Sequence, residues 1–231
     1  MDLSASTPRL RREQVAGMNI HYIMWSLDYF LDAQQRLGFK TIELWAAEPH
    51  VTLDHTGYFE ADELRRKIES RGLSVSSLCP ENVVYPWQYA ARKPLHAQRS
   101  LAYFKHGIEL AEVLGAPYMS INSGWGDWDE DREEAWKRSA EHLAILADYA
   151  GEHGVTLCME SLRPEESNLV VTLADARRML DQVASPHLTP MVDTTAMGVA
   201  GESLEEWFAE FGDGAIRNMR FIDGDPYGHL V

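Results

Sequence analysis

The chain has 231 residues, 45% of them apolar and 25% charged, which suits one domain with a substantial buried core. Its formal net charge of −15 repels phosphate backbones and argues against nucleic acid as a partner; the one short basic group is Arg9, Arg11 and Arg12. The sequence shows neither a charged-then-apolar leader nor a long apolar run, so secretion and membrane insertion are not expected.

Residues 1–16 are polar, contain Pro8 and show no sustained period, and read as a flexible arm; 17–231 read as a single domain. Strand-like segments then follow at Met18–Met24, Lys40–Trp45, Ser74–Cys79, Tyr118–Asn122, Val155–Glu160, Leu188–Asp193 and Ile216–Asp223. Helical periods lie between them, as in Leu101, Phe104, Ile108 and Ala111 or Leu173, Ala176, Leu180 and Val183. Thr172 with Asp175, and Ser203 with Glu206, carry capping-box spacing. Gly38, Gly72, Gly115 and Gly154 each stand where a helix would stop and a strand begin. Cys79 and Cys158 fall in separate strand segments and read as reduced core residues of a cytoplasmic protein.

Repeated strand-then-helix order without a hairpin signal predicts a parallel α/β sheet with right-handed crossovers. The residues after the first strand, Trp25 to Tyr29, form no glycine-rich dinucleotide loop, which favours a (β/α)8 TIM-type barrel over a doubly wound sheet. Seven strands are visible, so the barrel is expected to be truncated after the seventh. Either the given sequence is expected to be a truncated product, or its open edges are expected to be covered by a partner chain, as in a homo-oligomer, or by the N-terminal arm.

In such a barrel each strand turns one side to the helices and the other to the axis. Placing Ile42, Leu44, Val155, Leu157, Met159, Met219 and Phe221 toward the helices turns Glu43, Glu160 and Arg220 inward. Asp193 continues an inward set with Thr189 and Met191. These four charges converge near the C-terminal rim, where barrel enzymes keep their chemistry. Burying several carboxylates is costly unless a cation or hydrogen bonds compensate, so the group points to a functional site.

At these residues the sequence resembles the sugar-phosphate isomerase/epimerase barrels of the xylose-isomerase-like superfamily, most of all the fructoselysine 3-epimerases and ketose 3-epimerases. The resemblance rests on Ile42 to Trp45, Glu48-Pro49-His50, Cys79-Pro80-Glu81-Asn82, Met159 to Asn168, Met191-Val192-Asp193 and Phe221 to Val231. It implies epimerisation or isomerisation of a ketose or sugar derivative by metal-assisted proton transfer through an enediolate, with Mn2+, Mg2+ or Co2+ as the ion. Carried over by position, Glu160 is a metal ligand and proton-transfer base and Asp193 a second ligand. The third ligand position, usually histidine, holds Arg220, and the fourth lies past Val231. His50, Glu81, Glu166, Arg220 and His229 are implied substrate contacts, and Trp25, Trp45, Trp125 and Trp128 candidate pocket walls. The competing expectation is a degenerate, non-catalytic barrel that binds a small polar ligand. Because guanidinium has no lone pair for a metal, Arg220 is expected to pair with Glu160 or Asp193 instead.

Overall fold

The computed structural model describes residues 10–83, 86–212, 214–222, 224–225 and 228–229, the side chains of 225, 228 and 229 excepted. Seven parallel strands form one curled sheet in chain order: β1 (Gly17–Met18), β2 (Thr41–Ala46), β3 (Ser74–Pro80), β4 (Tyr118–Ile121), β5 (Thr156–Glu160), β6 (Leu188–Asp193) and β7 (Asn218–Arg220). Between them run α1 (Leu27–Leu37), α2 (Ala61–Glu69), α3 (Pro94–Val113), α4 (Arg132–Glu152), α5 (Leu173–Val183), α6 (Thr194–Val199) and α7 (Leu204–Phe211). This is the repeating βα order of a TIM-type barrel. Among the described residues no helix is long and apolar enough to cross a membrane.

The helices start and stop where local chemistry predicts. Thr172 accepts a hydrogen bond from the Asp175 N–H to cap α5, and Ser203 and Glu206 form a reciprocal capping box on α7. Gly38, Gly72, Gly115 and Gly154 all have φ between 67° and 78°, the left-handed state in which a helix end turns into the next strand.

The core lies between sheet and helices. It takes Ile42 and Leu44 from β2, Leu78 from β3, Met119 and Ile121 from β4, Leu157 and Met159 from β5 and Val192 from β6. Alternate residues of the same strands face the axis and are mostly polar: Glu43, Ser77, Cys79, Ser120, Cys158, Thr189, Asn218 and Arg220 hydrogen-bond to one another or to neighbouring strand carbonyls. A two-residue side-chain period thus divides an apolar layer from a polar interior.

Several segments differ from the sequence expectation. The first strand was expected over Met18–Met24, but only Gly17 and Met18 pair with β2, and Asn19–Tyr22 form a 3-10 turn. The buried Asn19 amide explains the break: its Oδ1 accepts from the Trp45 N–H at 2.7 Å and its Nδ2 donates to the Trp45 carbonyl at 3.0 Å. A side chain has taken over the ladder bonds that another strand residue would make. The seventh strand is likewise shorter than Ile216–Asp223.

Two antiparallel hairpins, unexpected from sequence, occupy loops: Leu53–Asp54 with Gly57–Tyr58, and Gly224–Asp225 with Gly228–His229. Asp54 closes the first by accepting from the Thr56 N–H, the Thr56 hydroxyl and the Gly57 N–H. Of the expected N-terminal arm, residues 1–9 lie outside the described part. Arg12–Gln14 form a 3-10 turn, and the Arg12 guanidinium donates to the Leu37 carbonyl at the end of α1.

Candidate active site

The last residues of β5, β6 and β7 are Glu160, Asp193 and Arg220, and all three line one cavity of about 300 Å3. Its other walls include Met18, His21, Trp45, Glu81, Leu162 and Glu166. The cavity therefore opens at the C-terminal ends of the strands and is bounded by both carboxylates and apolar surface, the usual make-up of a small-molecule site.

Arg220 crosses the interior beneath this cavity. Its Nη1 donates to both oxygens of Glu160 at 2.8 and 2.7 Å. Nη2 lies 3.0 Å from Glu43 Oε1, 3.1 Å from Ser120 Oγ and 2.9 Å from Cys79 Sγ, and Nε is 3.4 Å from Glu43 Oε2. Asn218 supports the group from below, its amide donating to Glu43 at 3.2 Å and to Ser77 Oγ at 3.3 Å. One guanidinium on β7 thus joins β2, β3, β4 and β5 across the axis. The side chains of Arg220, Glu43 and Glu160 are only 18%, 10% and 6% exposed, so these are interior ion pairs.

Burial pushes the Glu160 carboxyl up to about 7, against the pull of Arg220; the negative charges of Asp193 and Glu43 add to the rise. Glu160 therefore exchanges its proton near neutral pH, where a general acid or base is most useful. Burial also raises the Cys79 and Cys158 thiols to about 12, which keeps both protonated and poor ligands for a metal.

The remaining predicted residues divide clearly. Glu81 lines the cavity, with Oε2 accepting from the Trp45 indole N–H at 2.8 Å and Oε1 from the Val83 N–H at 3.1 Å. Glu166 lines it too, tied to Arg163 Nη2 at 2.8 Å and Nε at 3.1 Å. Asp193 Oδ1 accepts from the Thr195 and Ala196 N–H groups at 2.8 and 3.0 Å and so caps α6 while bordering the cavity.

His50 is not among the lining residues: Asn19 Nδ2 is 2.9 Å from its Nδ1 and the Trp25 carbonyl 2.8 Å from its Nε2, so it joins two loops at the rim. The His229 side chain lies outside the described residues. Trp25 and Trp128 are exposed and line neither wall of this cavity, and Trp125 borders a separate depression beside Glu166. The sequence reading overlooked His21 as a wall and Ser120 as a partner of Arg220. The alternation of Tyr118–Ile121, with Met119 and Ile121 in the core, would have turned Ser120 inward.

A family profile described as the xylose isomerase-like TIM barrel matches residues 31–228. The chain belongs to that family. A fructoselysine 3-epimerase of Shigella flexneri is 29% identical over 196 residues, covering 85% of this chain and 70% of the relative. A D-psicose 3-epimerase of Enterocloster bolteae is 25% identical over 244 residues, covering 96% of this chain and 73% of the relative. Among solved structures, a 3-keto-D-glucoside 4-epimerase from E. coli superposes with a TM-score of 0.75 at 16% identity, over 91% of this chain and 79% of that one, a likeness of fold.

The divalent ion that the resemblance implies does not fit these residues. Among the described residues no group of three or more His, Cys, Asp or Glu side chains is placed to hold an ion. The position expected for a third ligand carries a guanidinium, which is cationic and has no lone pair to give. That guanidinium already engages both oxygens of Glu160.

Proposed function

We propose that this chain is a sugar epimerase or isomerase acting on a ketose or ketose derivative, with Glu160 as the group that moves a carbon-bound proton. The observation that carries the proposal is Glu160 itself, a carboxyl buried at a strand end and bordering the cavity, where burial pushes it up to about 7. The names of its relatives supply the class of substrate: a ketosamine for one, free ketoses for others.

The chemistry follows from what the side chains can do. A carboxylate offers about four lone-pair positions, and Arg220 takes one on each oxygen, so Glu160 keeps acceptor capacity toward the cavity. Removing a proton from the carbon beside a ketose carbonyl breaks C–H, forms O–H on Glu160 and moves the electron pair into an enediolate. A proton delivered to the opposite face of that carbon gives the epimer, or to the former carbonyl carbon the isomer, with no overall change in oxidation state. Glu81, fixed by the Trp45 indole, and Glu166, fixed by Arg163, would accept hydrogen bonds from sugar hydroxyls. Trp45 and the apolar walls would cover the C–H faces of the sugar and exclude water.

The test is solvent exchange. Incubation with D-psicose, D-fructose, L-ribulose and a fructosamine in D2O should place deuterium at the carbon next to the carbonyl of one of them, read by proton NMR. Glu160→Gln should lower that rate by at least about a hundredfold, the usual span of a general base. Exchange that survives this substitution unchanged would overturn the role of Glu160. A second reading, a barrel that binds a polyol without turning it over, is favoured by the doubly bonded Arg220–Glu160 pair. It expects ligand binding by saturation-transfer NMR with no deuterium incorporated.

A further inference from the structure

We infer that Arg220 is a resident cation of this site, standing in the place of a divalent metal, and that the barrel holds its carboxylates without one. Its bearing on catalysis rests on the sugar-enzyme reading above; the claim about occupancy does not.

The donor count supports it. A guanidinium carries five N–H donors. Here Nη1 serves Glu160, Nε and Nη2 serve Glu43, and Nη2 also reaches Ser120 and Cys79. Every donor has a protein partner, which is how a built-in cation looks and how a side chain displaced from solvent does not. The neighbours are suited to it as well: a hydroxyl, a protonated thiol and the Asn218-supported carboxylate of Glu43 complete a shell around positive charge. A hard divalent ion sits about 2.0–2.6 Å from its oxygen ligands. An ion bound to Glu160 would therefore crowd the Nη1 group already 2.7 Å from the same carboxylate, cation against cation. Both expected ligands and the guanidinium's own residue border the same cavity, with Asp193 and Arg220 paired in register across β6 and β7.

A fixed cation also fits the proton transfer. Before the step, Arg220 faces two anions, Glu43 and Glu160. When Glu160 takes the carbon-bound proton it becomes neutral, and the negative charge moves to the enediolate oxygen formed from the carbonyl. Arg220 lines the cavity in which that charge would form, so its positive charge would offset the enediolate as it offsets the ionised Glu160.

Metal content tests the occupancy directly. The purified full chain, dialysed against Mn2+, Co2+ or Mg2+ and measured by elemental analysis, should carry far less than one ion per chain, and EDTA should leave its melting temperature unchanged. Arg220→His, which removes the cation and adds an imidazole beside Asp193, should bind Mn2+ or Co2+ at least tenfold more tightly than the native chain. One ion per native chain, lost in both Glu160→Gln and Asp193→Asn, would overturn the inference even if the histidine variant fails to fold. Where deuterium exchange into a ketose is found, it should persist in EDTA, and its abolition by EDTA would equally overturn the claim. Absence of exchange with every ketose, in a chain that also binds no ion, counts against the enzyme reading and leaves Arg220 as the site's cation.

Discussion

Replacing Arg220 with methionine keeps most of the side-chain volume and removes the charge that holds Glu43 and Glu160 together. Breaking a buried ion pair by removing one partner costs about 3–5 kcal/mol, because a charge is left without compensation. Here two carboxylates lose the same partner, but one of them can neutralise itself. Glu160 already titrates at about 7 in the folded chain, above its ordinary value of 4.5. The folded state therefore binds more protons than the unfolded one between those values. The sign follows: the stability associated with Glu160 is fully present below about 4.5 and is lost as pH rises through about 7. Without Arg220, whose charge pulls that carboxyl down, the loss extends further upward. At pH 5 the variant keeps Glu160 protonated, so the share of the penalty that belongs to an ionised Glu160 is absent; at pH 8 that share returns. Urea unfolding should therefore show a deficit of about 3–5 kcal/mol at pH 8 and one smaller by about 1–3 kcal/mol at pH 5. An equal or larger deficit at pH 5 would refute the idea that Arg220 compensates an ionised Glu160.

Trp45→Phe keeps the aromatic wall but takes the indole N–H from Glu81 Oε2; sugar binding should weaken several-fold while urea stability falls by about 1–3 kcal/mol, read by calorimetry and denaturation side by side. Ser203→Ala dismantles the capping box of α7 and should cost about 1 kcal/mol in urea, with Ser203→Gly costing only a few tenths. Gly126→Ala would put a Cβ 2.4 Å from the Ala135 Cβ on α4, in a loop held by Asn168 on both its N–H and its carbonyl. Overpacking of this kind should cost about 1–3 kcal/mol, and an unchanged melting curve would show that the loop gives way freely.

Much of this architecture was legible because it repeats. The two-residue alternation in Val155–Glu160 and Lys40–Trp45 was enough to turn Glu160 and Glu43 to the axis, and the absence of a lone pair on guanidinium was enough to pair Arg220 with a carboxylate. Local competition was not legible. Asn19 ends the first strand through its own amide, and Asp54 folds a hairpin through three short-range hydrogen bonds, neither of which leaves a periodic trace. His50 shows the same limit in the site. Its motif suggested a substrate contact, yet both ring nitrogens meet loop partners that no spacing along the chain brings together. The reach of Arg220 also needed coordinates, since Glu43 is 177 positions away in the chain.

The division of labour among the acids follows from what each already holds. Glu43 lies outside the cavity lining and spends both oxygens on Arg220 and Asn218, so it anchors the cation from below. Asp193 gives Oδ1 to two backbone N–H groups of α6, and those bonds fix its orientation. Glu160 borders the cavity, and among the described residues its carboxylate is held by the guanidinium of Arg220 on both oxygens. Glu160 combines access to the cavity with a carboxyl that burial pushes up to about 7. A base must be reachable and close to half-ionised at once, which is why the proposed proton transfer is assigned to Glu160.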